Sequence, residues 1–253
     1  MAFPRTVNLD YGDEKKEGSS AIGNLSLGTR GVTPDGRVFY YAKCSSTAIT
    51  PAGKIVDGIA AVAAHDMDVA AAATAAGNVT FTSGTSLTTT KNQYADGYVL
   101  FNDGPAQGEV YRVKSNTAVS GASGLSITID EPDGLRTALT TASLFGLAYN
   151  PYTDVKIIDG DGTQTTGPLG VTVIPVTASY YCWLQTAGIA SVLSGAAVAI
   201  VGDAIGVSQA SGESGAFDLW DASSEEDRQP IGHAMGIPSV DTDNQIVMLN
   251  IRN

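Results

Sequence analysis

A chain of 253 residues has room for one large β domain or two smaller ones, and a hydrophobic content of 43% excludes disorder throughout. With 14 basic and 26 acidic residues the formal charge is −12, which disfavours direct binding to nucleic acid or to anionic membranes. Charged residues make up only 16%, below the roughly 25% of an average soluble protein, and Gly, Ser and Thr are abundant, a balance that suits sheet surfaces and turns.

The first residues lack the apolar core of a secretory signal, and no apolar run reaches transmembrane length, so synthesis in a cytoplasm is expected. Residues 1–30 are polar around Asp10–Ser20 and show no period. They read either as a loose tail or as an extended arm that orders on a neighbouring subunit. Thr33-Pro34-Asp35-Gly36 has the chemistry of a tight turn, and Val38-Phe39-Tyr40-Tyr41 follows as an aromatic-rich strand. Pro51-Ala52-Gly53 is the next turn, before a short strand at Lys54-Ile55-Val56. The Ala-rich stretch 59–76 has high helix propensity but no amphipathic stripe, and its β surroundings weigh against a long helix.

From Val79 the strand pattern is plain. Val79–Thr82 alternates, and Tyr98–Phe101 and Glu109–Lys114 flank a loop as a hairpin. Leu125–Asp130 alternates strictly, placing Leu125, Ile127 and Ile129 on one face. The loop-rich stretch 150–170 marks a boundary, and further strands are expected at Val171–Ile174, Tyr180–Gln185, Ala196–Ile200, Ile205–Val207 and Ile246–Ile251. The predicted fold is therefore all-β: one or two sandwich- or barrel-like units with an extended N-terminal arm and little helix. The expected division is an arm at 1–30, a β domain at 31–165 and a second at 166–253 with a C-terminal closing strand.

No residue pattern carries chemistry. His65 and His233 are the only imidazoles, and there is no nucleophile elbow, Walker loop or dinucleotide fingerprint. Asp159-Gly160-Asp161-Gly162-Thr163 opens like a calcium loop, but Gly170 stands where the bidentate Glu belongs, so a surface turn is the better reading. The acids Asp218, Asp221, Glu225, Glu226 and Asp227 read as a solvated loop. Cys44 and Cys182 form no metal or redox motif, and Cys182, among aromatics, reads as a buried thiol. No catalytic residue, metal or cofactor is assigned. Trp183 is expected in the core and Trp220, after Phe217, at a surface contact.

Several segments in order are familiar: Gly28-Thr29-Arg30, Pro34–Ala42, Asn92–Tyr98, Gly108–Val113, Asn150-Pro151-Tyr152 and Tyr181–Gly188. Over about residues 25–253 the chain resembles a family of tailed-bacteriophage virion proteins. The resemblance implies a non-enzymatic head decoration, or cement, protein on the outer capsid surface that reinforces the shell. Its partners would be the major capsid protein and copies of itself, as a homodimer or homotrimer. On that reading the arm is a clamp, with Val7, Leu9, Tyr11 and Leu25 as contacts. The rivals are a tail or fibre component that binds host glycans through Trp220 and the 209–229 loop, and a glycan hydrolase.

Overall fold

The computed structural model describes residues 6–21, 25–160, 165–195, 201–220, 230–236 and 243–252. The chain is nearly all β, in sandwich- and barrel-like units, as the alternation predicts. Among the described residues the α-helix is confined to one turn, Ala63–Asp66, so the Ala-rich stretch forms no long helix. Without an apolar stripe, propensity alone does not hold a helix there.

Two compact units form, one from residues 1–59 with 151–253 and the other from 60–150. The division expected near residue 165 is corrected by strand pairing. Val38–Lys43 lies antiparallel to Tyr181–Leu193, with Tyr41 opposite Trp183 and Phe39 opposite Gln185, so one sheet spans that boundary. The 60–150 segment is an insertion between the strands of that sheet.

The 60–150 unit carries a six-stranded sheet in the order Val69–Ala70, Leu144–Ala148, Tyr98–Asp103, Val110–Asn116, Ser126–Ile129 and Thr80–Thr82. Alternation decides what each strand buries. Leu125, Ile127 and Ile129 are all buried, as predicted, and pack with Phe81, Phe101, Phe145 and Val113. Phe81 meets Phe145 edge-on at 5.3 Å between centroids, a favoured aromatic geometry.

In the other unit, Tyr181–Leu193 is the spine. Its first half pairs with Val38–Lys43 and with Gly170–Thr172, and its second half with Asn244–Asn250. The register shifts between Gln185 and Ala187, and Gly188 follows at φ +88°, a conformation that favours glycine. The sheet continues through Gly232–Ala234 and Ala204–Val207 to Phe217–Leu219. The closing strand is therefore internal, as its apolar sequence predicts. Val38–Ala42 is buried on both faces: Phe39 and Tyr41 pack with Trp183, and Val38, Tyr40 and Ala42 pack with Cys182 and Leu184. A continuous apolar run is the sequence mark of a strand covered on both sides.

The N-terminal arm is corrected as well. Thr6–Asn8 pairs in parallel with Arg30–Val32, Asp13–Lys15 forms a 3-10 turn, and Gly18 bridges to Tyr181. Leu9 is 6% exposed and packs with Phe39, Tyr41 and Trp183. Gly31 makes room for it, since a Cβ there would lie 2.6 Å from Leu9 Cδ1 and 2.9 Å from Trp183 Cζ3. The described part of this segment is thus bound by its own unit. Leu9→Ala should cost about 2–5 kcal/mol of unfolding free energy in urea titrations; an unchanged midpoint would show that the N-terminal packing is dispensable.

Candidate functional site

The candidate site is made of exposed sheet faces. In the 60–150 unit, the period of two that buries Val99 and Phe101 turns Tyr98 and Leu100 outward, 44% and 38% exposed. Leu100 stands opposite Val110, which is 56% exposed, and Tyr98 stands opposite Arg112. Arg112 and Lys114 share the outward face with Val110, since they alternate with buried Tyr111 and Val113. Arg112 is held by Asp96 at 2.5 Å. Cross-strand neighbours lie close enough to form one continuous surface, so three apolar side chains here make a patch beside two cations. Isolated exposed apolar residues would mean little; neighbours on adjacent strands mark a contact face.

The other unit has an outward strip of its own. Ile189 lies opposite Met248 and Ser191 opposite Ile246, while Met235 hydrogen-bonds to Ile246 through its backbone N–H. Ile189, Ile246 and Met235 are exposed and Met248 is half-buried.

The residues proposed from sequence scatter. Val7 and Leu25 are half-buried against the Leu9–Trp183 cluster, and Leu9 lies inside it, beyond the reach of another chain. Tyr11 is 65% exposed, so of the four arm residues it is the one displayed to solvent. Trp220 is half-buried, its backbone N–H bonded to the Ala204 carbonyl at 2.9 Å. All five belong to the unit formed by residues 1–59 and 151–253, whereas Tyr98, Leu100 and Val110 belong to the 60–150 unit. Trp183 is buried, as expected. The predicted strand at Ala196–Ile200, residues 161–163 of the calcium-like loop, and Asp221, Glu225, Glu226 and Asp227 lie outside the described residues.

The titratable groups have structural surroundings. His65 is buried and shares a hydrogen bond with Tyr94, Nδ1 to Oη 2.6 Å, while Tyr94 stacks on Tyr149. Burial holds the imidazole below its ordinary pKa and pushes the Tyr94 phenol up. Cys44 and Cys182 are both buried free thiols, and burial pushes both up, away from the nucleophilic thiolate. No group of three or more His, Cys, Asp or Glu side chains able to hold a metal occurs among the described residues. No described helix is long and apolar enough to cross a membrane.

Comparison with protein-family models, with curated proteins and with solved structures finds no match to this chain.

The depressed imidazole has a consequence for stability. The unfolded chain takes up a proton at His65 more readily than the folded one, so stability is full above about pH 6.5 and falls as pH drops below it. Urea unfolding followed from pH 7 to pH 5 should show this decline, smaller in His65→Gln. An identical decline in the variant would assign the acid sensitivity to other groups.

Proposed function

We propose that this protein is a non-enzymatic structural component of a tailed-bacteriophage virion, a decoration protein that binds the outer capsid surface and stabilises the shell. The observation that carries this reading is the outward face at Tyr98, Leu100 and Val110, with Arg112 and Lys114 beside it. Its stated occupant is the major capsid protein. Apolar side chains on paired strands supply buried area, and a fixed cation on the rim supplies register. The resemblance over about residues 25–253 supports the same role. A rigid β scaffold suits it too, because a cement protein resists strain without needing to move.

Each contact need not be strong. Many copies on a lattice act together, and a homodimer or homotrimer gains further through avidity. The net charge of −12 keeps free copies soluble and disfavours contact with packaged nucleic acid.

The test uses purified shells that lack the protein. The double variant Leu100→Lys with Val110→Glu places opposite charges across the strand pair, which preserves the sheet while removing the apolar surface. Co-sedimentation should show binding weakened by about tenfold or more, with the unfolding midpoint nearly unchanged because both side chains are exposed. Unaltered binding by a folded variant would remove this face from the proposal.

A further inference from the structure

A cleft of about 560 Å³ opens in the unit formed by residues 1–59 and 151–253, lined in part by Lys15, Arg37, Gly53, Ser191, Gln245 and Ile246. That lies within the roughly 300–1,000 Å³ of typical ligand pockets. One wall is an interrupted sheet edge. The ladder between Tyr181–Leu193 and Asn244–Asn250 alternates, so every second residue turns its N–H and C=O away from the partner strand. Ser194 N–H donates to the Asp243 carbonyl on the paired side, whereas Leu193 N–H donates to the Gly53 carbonyl on the other side. Ile189 and Ser191 share the orientation of Leu193. Toward the other end of this edge, Val38 pairs with Ala187 and the Arg37 side chain lies beside Gly188. The stretch between is open.

Within that gap the backbone is only partly satisfied. Gln185 Nε2 donates to the Ile189 carbonyl at 2.8 Å. Ile189 N–H, Ser191 N–H and the Ser191 carbonyl have no hydrogen-bond partner among the described residues. Gln245 is 4% exposed, and its Oε1 is buried without a partner among the described residues. A buried amide oxygen left so costs free energy that a donor would recover. Arg37 is engaged by Glu14 at 3.3 Å and Asp35 at 2.8 Å. Lys15, exposed at the cleft, makes no ion pair among the described residues. Ile189 and Ile246 give the rim an apolar side.

A row of backbone donors and acceptors at strand spacing is matched by another extended backbone, since only a strand presents the complementary groups at that interval. We propose that the Ile189–Ser191 edge receives an extended segment of the capsid shell subunit as an added strand. That segment carries an acidic side chain against Lys15 and a hydrogen-bond donor for Gln245. The inference rests on the shell-binding reading and names the element of the partner that enters this unit.

The experiment uses the full chain and purified shells that lack it. Residue-resolved amide exchange is compared in free and shell-bound protein, and binding is measured for Ser191→Pro and Ser191→Ala. Proline removes an N–H that the free fold leaves unpaired, a position where an edge strand tolerates it. On shells, exchange at Ile189 and Ser191 should slow by about tenfold or more, and Ser191→Pro should bind about tenfold more weakly than Ser191→Ala. Should Ser191→Pro fail to fold, the exchange result alone decides. Bound protein whose two amides still exchange at the free rate overturns the added strand and leaves shell binding standing. Failure of the unmodified protein to sediment with shells overturns both.

Discussion

The fold of the larger unit depends on one strand serving three ladders, Gly170–Thr172 among its partners. Tyr181–Leu193 holds Val38–Lys43 along its first half and Asn244–Asn250 along its second. It can do so because the register shift after Gln185 and the positive φ of Gly188 redirect it midway. A Cβ at Gly188 would also press on Arg37, whose Cγ lies 3.0 Å away. Segments from both ends of the chain are thereby fixed to one piece of backbone. The same change of partner leaves part of one edge of the strand without a neighbour. Stability and a binding opportunity thus come from one local irregularity.

The aromatic cluster over this strand closes the N-terminal segment down. Trp183 and Tyr41 stand opposite each other with centroids 5.0 Å apart, and Leu9 fills the space above Gly31. Short apolar residues in a polar segment have little value alone, because one three-residue strand cannot offset its ordering entropy. Packed against a wide aromatic surface they become part of the core.

Sequence reveals strands more readily than their partners. Leu125–Asp130 was legible because polar residues mark its outer face, and the burial of Leu125, Ile127 and Ile129 agrees. Tyr98-Val99-Leu100-Phe101 was legible as a strand but not as a contact face, since four apolar residues in a row do not show which two point inward. The division of the chain was illegible for another reason. One partner of Val38–Lys43, the strand Tyr181–Leu193, lies beyond the whole 60–150 insertion, and no local pattern encodes so distant a pairing. The alternation of Val7 and Leu9 offered a signal for the first strand, but its polar neighbours favoured an arm. The open edge at Ile189–Ser191 had no sequence signal, because it is defined by what is not paired beside it.

Both proposed contact regions use groups that the fold itself leaves over: apolar side chains on the outer face of one sheet, and backbone groups at a gap in another. A decoration protein, as proposed, would need a stiff scaffold and a surface complementary to a repeating neighbour. The most direct measurement is the copy number of this protein in purified virions, quantified against the major shell protein. The account predicts many copies in a fixed ratio to the shell subunit. A handful per particle, or none, would contradict it and place the protein in the tail or outside the virion.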